Sequence, residues 1–422
     1  MPLLPFNTFE KVSQGYINYR GADGKVEADW YPEEEMPRPK RYHENISKES
    51  QTYKDMYEDL IEVGCRSIAD ISKAINYSPD DVIEVKLTAD CEVPVRADGK
   101  ITTVFVPAGK TLKVDLNGHY YKCQAYAFYV TGGTLIIKDT SNSKKGMIKT
   151  TLHNTYGAIM AMSNGKVVLE GGTIDTRTPE DTSSENWMYG VVCSTGAVAE
   201  IKGNAVIHTD EASCLATNNT TGTGDFHIKD NAQLITDGCS AIYQASMDRV
   251  EVSGNARVIG GIIARMGHVV IGGNARVINN GYYNGYEDFG TYLTTSNGPA
   301  NLPFGVFHAA GTYKGNGEAG SNDFELTVKE NGSIESKDGV NVMIADLGTG
   351  YDQTSKVYIP NRVSWQVLSY DEAKDIVTAS GKTLKDRVAT TDISISVDGA
   401  VVYPIGDLQP LDGDDPEEPE GN

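Results

Sequence analysis

The chain has 422 residues, a formal net charge of −21, six cysteines and 44 glycines. The acidic balance excludes a nucleic-acid binder that works through a basic stripe, and no apolar run is long enough to cross a membrane as a helix. A glycine share above the roughly 7% usual in proteins suits many tight corners, and no cysteine pair has the C-x-x-C spacing of a zinc or thioredoxin-like site.

Residues 1–50 stand apart from the rest of the chain. They hold five of the sixteen prolines, the aromatics Tyr16, Tyr19, Trp30 and Tyr31, and charge runs such as Glu33-Glu34-Glu35 and Arg38-Pro39-Lys40-Arg41. Neither the strand period nor the helix period holds there, and the expectation is an extended N-terminal arm that orders on a partner. The first residues, Met1–Phe6, lack the basic and apolar regions of a secretory signal. That predicts a protein that stays where it is made or leaves inside an assembled particle. Residues 51–81 read as a helical cap. Met56, Leu60 and Val63 make one apolar stripe, Ile68, Ile71 and Ile75 a second, and Ser67 is placed to cap the second helix.

From Val82 onward the period is that of strands, and the strands repeat. Gly-Asn-Ala-Arg-Val-Ile occurs twice, at Gly254–Ile259 and Gly273–Ile278. Laid out in columns, one strand series ends on Leu116, Ile137, Leu169, Ile201, Ile228, Val252, Ile271 and Val328. The final step leaves room for two turns, or for one turn with large insertions. A corner follows each strand: Gly171-Gly172, Gly203-Asn204, Asp230-Asn231, Gly254-Asn255, Gly273-Asn274 and Asn331-Gly332. Gly and Asn tolerate the left-handed backbone such a corner needs, and stacked asparagines are placed to bond to one another. A second series follows the corner (Thr173-Ile174, Arg257-Val258-Ile259). A third precedes the first (Ala127-Phe128, Val191-Val192, Ile262-Ile263). One such turn cannot bury its own apolar face, but a stack of them encloses a continuous core. Arg257 and Arg276 are expected to stack outward and to pair with acids such as Glu251. The cysteines near the repeat period, Cys193, Cys214 and Cys239, are expected to pack as core residues.

Beyond Asp346 the repeat fades. Val357–Ile359 and Trp365–Val367 are predicted as short strands, and Tyr370–Thr378 as a helix. Ile393–Val397 with Ala400–Tyr403 is predicted as a hairpin across Asp398-Gly399. Residues 404–422 read as a disordered acidic tail.

The opening of the repeat is distinctive: Ser67–Ile75, then Ile83–Cys91, then Val106-Pro107-Ala108-Gly109-Lys110-Thr111-Leu112-Lys113-Val114-Asp115-Leu116-Asn117-Gly118-His119. This sequence resembles the right-handed parallel β-helix of the pectate-lyase-like superfamily, shared by polysaccharide-cleaving enzymes, phage tailspikes and bacterial surface proteins. The resemblance covers roughly residues 66–345. It implies an all-β chain with three short strands per turn. Its parts are a docking arm at 1–50, a helical cap at 51–81, the β-helix at 82–346, a capping or oligomerisation segment at 347–403, and the tail at 404–422.

Fold alone does not name a function. Insertions at Ser141–Tyr156, Arg177–Tyr189 and Asn279–Pro303 are expected to leave one corner of the stack and form one surface. They carry Trp187, Tyr189, Tyr282, Tyr283, Tyr286, Phe289 and Tyr292, whose rings suit sugar binding if exposed and wall packing if buried. The acids Asp175, Glu180, Asp181, Asp210, Glu211, Glu287 and Asp288 collect near the same corner, but no paired carboxylate motif stands out. The polygalacturonase signatures are absent as a set, the seven histidines are spread singly, and His227 and His268 are expected on the surface. No catalytic residue, metal site or cofactor is assigned.

The expected function is a non-catalytic structural and adhesive component of a bacteriophage virion: a tailspike, tail fibre or head fibre. Its expected partners are other virion proteins, bound through residues 1–50, and host surface polysaccharide, with a homotrimer as the expected assembly. The alternatives are a polysaccharide lyase or glycoside hydrolase on the same scaffold, and a bacterial adhesin at the cell surface.

Overall fold

The computed structural model describes residues 16–20, 26–30, 65, 67–78, 80–92, 103–123, 126–150, 157–177, 188–217, 224–246, 249–279, 281, 286–295, 300–312, 323–337 and 339–403. Within them the strands form three long sheets and one hairpin. Sheet I has twelve strands, from Val82–Lys86 to Ala400–Tyr403. Sheet II has nine, from Cys91–Glu92 to Ser333–Ser336. Sheet III has ten, from Val104–Pro107 to Trp365–Leu368. Through most of the stack the chain visits I, II and III in that order, and each strand pairs in parallel with the one a full turn later. Lys166–Leu169, for example, lies between Thr134–Lys138 and Val198–Ile201. This is the topology of a parallel β-helix.

Alternation makes the core. Along a strand every second side chain points inward, and parallel register stacks those side chains into columns. Val167, Ala199, Phe226, Val250, Val269 and Leu326 are opposite one another in consecutive turns, and all are fully buried. The next inward column, Ile137, Leu169, Ile201, Ile228, Val252, Ile271 and Val328, is the one read from the sequence. Two points differ. Ile137 is opposite Val114, not Leu116, which lies just past the strand and donates its N–H to the Lys138 carbonyl. Ile271 pairs directly with Val328, so the long final step is one turn carrying two insertions.

The corner between sheets I and II carries an amide ladder. Asn231 Nδ2 donates to Asn204 Oδ1 (3.3 Å), Asn255 to Asn231 (3.2 Å), Asn274 to Asn255 (3.2 Å) and Asn331 to Asn274 (3.1 Å). The residue before each asparagine holds positive φ: Gly203, Asp230, Gly254, Gly273 and Glu330. At the last turn the left-handed position therefore falls on Glu330, one residue before the corner read from the sequence. Asp230 and Glu330 lack glycine's freedom, but each carboxylate accepts the N–H of the glycine one turn below, Gly203 and Gly273 respectively. Asn255→Ala removes two rungs and is expected to cost about 1–2 kcal/mol, read as a lower denaturation midpoint. Arg257 and Arg276 do stack in register, but Arg276 is held by Glu335 (2.9 and 2.8 Å) rather than by Glu251, whose partners are Arg249 and His227.

Both ends of the core are addressed. Helix α1 (Ile68–Tyr77) is capped by Ser67, whose hydroxyl accepts from Asp70 N, and it buries Ile68, Ile71 and Ile75. The expected first helix, around Met56, Leu60 and Val63, lies outside the described residues. At the other end the sheets run on through Asp346. Gln353–Ile359 and Thr391–Val397 extend sheet I in parallel, and Trp365–Leu368 extends sheet III. Helix α2 (Tyr286–Thr295) arises in the long insertion. Helix α3 (Tyr370–Ala379) begins with a capping box between Ser369 and Glu372. The predicted final hairpin is present, with Asp398 and Gly399 at positive φ.

Tyr16–Arg20 and Val26–Trp30 pair antiparallel within the region read as an arm without period. The rest of 1–50 and the tail at 404–422 lie outside the described residues. All six cysteines are free and buried. Burial pushes the thiols of Cys65, Cys214 and Cys239 up to about 12 and that of Cys91 to about 11, so these four are not ready nucleophiles.

Candidate functional site

The outer faces of the sheets differ in chemistry. Sheet I is laced with charge. Glu200 lies among Lys229, Lys202 and Lys166, and the hydrogen bond from Lys229 helps bring its carboxyl down to about 2. Sheet II carries Asp175, gripped by Arg177 Nε and Nη2 (3.1 and 3.0 Å) and by Lys149 Nζ (3.1 Å). Burial alone would raise the Asp175 carboxyl, but these cations hold it below its usual range. A carboxylate locked this way is a poor general acid. One turn on, His208 Nε2 lies 3.0 Å from Asp237 Oδ1.

Sheet III is largely apolar on its outer face as well as its inner one. Its outward column runs Phe105, Tyr129, Met160, Val192, Ala216, Tyr243, Ile263, Phe307 and Met343, one residue per turn in unbroken register. An apolar outer face in water must be covered or used. Toward the C-terminal end it is covered. Phe289, Tyr292 and Leu293 of α2 and Ala373 and Val377 of α3 are buried with it. Phe307 sits at the centre, stacked on Phe304 (5.9 Å) and met edge-on by Phe289 (5.9 Å) and Tyr292 (5.4 Å). The two helices touch at Gly290, where a β-carbon would lie 2.4 Å from Ser380 Oγ.

Toward the N-terminal end the face changes character. Phe105, Tyr126 and Tyr129 are half-buried, with ring centroids 5.4 Å apart for Phe105–Tyr129 and 6.2 Å for Tyr126–Tyr129. The Tyr129 hydroxyl donates to Met162 Sδ. Rings fixed on a rigid strand, with part of each surface in solvent, suit the apolar face of a sugar.

The aromatics expected from the sequence fare differently. Phe289 and Tyr292 are 2% and 6% exposed. They pack against the sheet wall and offer no face to a ligand, a correction to their reading as binding rings. Tyr189 is half-buried against the same apolar cluster, and burial raises its hydroxyl pKa. Tyr286 is the first residue of α2. Trp187, Tyr282 and Tyr283 lie outside the described residues. The insertions do not share one corner either. Residues 141–146 lie between sheets I and II, and Met147–Thr150 is a strand of sheet II. The remainder of that insertion, residues 151–156, connects sheet II to sheet III, as do the later two insertions. Sequence reasoning missed Phe105, Tyr126 and Tyr129. The available signal was parity, since Phe105 lies between buried Val104 and Val106, and Tyr129 between buried Phe128 and Val130.

His227 is partly exposed and His268 exposed, as expected, but His308 is in the core. Its Nδ1 donates to the Ala264 carbonyl (3.0 Å), its Nε2 accepts from Ser355 Oγ (2.8 Å), and its ring stacks on Phe324. Burial lowers its pKa to about 3, so it stays neutral. Among the described residues no three His, Cys, Asp or Glu side chains converge to hold a metal ion, and no helix is long and apolar enough to cross a membrane. No protein-family model, curated protein or solved structure matches this chain.

Proposed function

We propose that the three sheets wind as a right-handed parallel β-helix of the pectate-lyase-like kind. On this reading the protein is a non-catalytic structural and adhesive component of a bacteriophage particle, a tailspike, tail fibre or head fibre. Residues 1–50 dock it to other virion proteins, and the stack meets host surface polysaccharide. The observation that carries the binding part is the half-buried trio Phe105, Tyr126 and Tyr129 on the outer face of sheet III. A stiff sheet holds the rings without the ordering cost of a loop, which favours recognition of a repeating glycan. The virion part rests on the sequence resemblance and on the distinct composition of residues 1–50.

The test has two arms. Mass spectrometry of purified virions is expected to find the chain, and its absence from every particle overturns the virion assignment. Titration with host capsular polysaccharide is expected to show binding that Tyr129→Ala weakens roughly tenfold, about 1.4 kcal/mol, with circular dichroism confirming that the variant is folded at the temperature of the titration. Equal binding by the variant removes this face as the site, and release of reducing sugar or unsaturated product removes the non-catalytic assignment.

A further inference from the structure

The last strand of sheet I, Ala400–Tyr403, pairs on one side only among the described residues. It runs antiparallel to Thr391–Val397 across the Asp398-Gly399 turn, with Val397 opposite Ala400 and Ser396 opposite Val401. In a two-residue hairpin the pair next to the turn exchanges both hydrogen bonds, so the N–H and C=O of the next residue, Val401, point to the open edge. The register slips one position further on, which centres the regular edge on Val401.

Edge strands are ordinarily shielded by a charge or a proline. Ala-Val-Val-Tyr has neither within the strand. Its side chains are also unusually bare: Val401 is 65% exposed, and on the same outer column Tyr358 is 42% exposed. Of the six large apolar residues exposed among the described residues, four (Tyr351, Tyr358, Val388 and Val401) belong to this end of the stack. The inner side of the hairpin is occupied, since Tyr403 meets Trp365 edge-on and packs with Val402 against the core. Among the described residues the strand thus closes the core while its outer edge stays open along the stack axis.

The chain itself argues for what covers that edge. Residues 404–422 begin with Pro404 and contain Pro410, Pro416 and Pro419 among acidic residues, and proline cannot donate to a ladder. The tail is therefore a poor added strand. A net charge of −21 makes two copies repel over most of their surface, whereas an uncharged strand is a place where they can approach. Antiparallel pairing of a strand with itself is also self-complementary about a two-fold axis.

We propose that two copies join end to end by antiparallel pairing of Ala400–Tyr403 with its symmetry mate, Val401 exchanging both backbone hydrogen bonds with Val401 of the second copy. Sheet I then runs continuously through the junction. This gives a two-fold assembly in place of the trimer expected from the resemblance.

The test is sedimentation of the full chain from about 1 to about 100 µM, concentrations on the order of those at which a micromolar contact is read. The wild type is expected to sediment as a dimer. Val401→Pro removes the outward N–H at a site where an edge strand tolerates proline, and Val401→Lys places two like charges opposite each other. Each is expected to raise the dimer dissociation constant at least about tenfold. Circular dichroism checks folding, and if the proline variant unfolds, the lysine variant, altered at an exposed side chain, still reads the contact. A wild-type monomer throughout would assign the edge to the chain's own tail or to solvent and overturn the proposal. A trimer overturns it too, as does a dimer unchanged in the folded variants.

Discussion

Phe307→Ala is expected to destabilise the protein by about 3–5 kcal/mol and to release helix α2 from sheet III. The magnitude is that of removing a fully buried ring from a packed site, and Phe307 is 1% exposed. The location decides the second effect. Phe307 points out of the solenoid, and the insertion is held there through the contacts of Phe289, Tyr292 and Phe304 with its ring. Hydrogen exchange separates the two effects. Amides of α2 should lose protection in Phe307→Ala, while Phe226→Ala, an inward ring of similar burial on sheet I, should lower global stability and leave α2 protected relative to the core. Undiminished protection of α2 in Phe307→Ala would show that the helix is held elsewhere.

Asp139→Asn should cost about 2–3 kcal/mol at neutral pH, and the cost should shrink in acid. Asp139 lies just past the strand Thr134–Lys138 and is 6% exposed. Its Oδ1 accepts from Gly118 N (2.9 Å) and Ser141 N (3.0 Å), and its Oδ2 from Gly146 N (2.7 Å). One carboxylate thus fixes both the preceding turn's corner and the loop at 141–146. An asparagine can present only one acceptor and sets an NH2 donor against an N–H donor. Hydrogen bonds to a charged group contribute about 1.5–3 kcal/mol, and a buried donor left unmatched adds to the loss.

The pH dependence comes from the direction of the shift. Burial would raise the Asp139 carboxyl, but the bonds from Ser141, Gly146 and Gly118 outweigh it and hold the group below its ordinary value. A depressed carboxyl contributes stability that is fully present above the unfolded value, about 3.9, and is lost as pH falls through the folded value. The wild-type advantage over Asp139→Asn should therefore be constant from neutral pH to about 5 and narrow below about 4, as read by denaturant titration at each pH. A gap independent of pH would mean that the charge contributes nothing. Asp175, depressed by Arg177 and Lys149, adds to the same acid sensitivity.

Most of the architecture was legible in local pattern. Strict alternation located the strands, Gly-Asn pairs located the corner, and the spacing of Ile201, Ile228, Val252 and Ile271 gave the register turn by turn. These features are readable because each is enforced within a few residues: a one-residue slip would turn every inward side chain outward, and a corner at positive φ selects from few residues. The reading failed where the constraint was not local. Leu116 was apolar and buried yet belonged to the corner, and Glu330 took a position that glycine holds in neighbouring turns because its carboxylate reaches the turn below.

Function was less legible for a related reason. An aromatic ring in an insertion looks the same in sequence whether it faces a ligand or a wall. Phe289 and Tyr292 face the wall because sheet III presents Phe307 and its apolar neighbours beneath them. Phe105 and Tyr129 look like ordinary strand residues until parity and neighbours place them outside. The sequence by itself determined the repeat, the parallel pairing, the amide ladder, the helix at Ile68–Tyr77 and the final hairpin, since periodic burial leaves a periodic trace. Only the tertiary structure decided which aromatics are covered, which corner each insertion leaves, and that among the described residues the last strand of sheet I pairs on one side only. Those depend on what lies opposite a residue in space, and in a stacked chain the opposite residue is a full turn or more away in sequence.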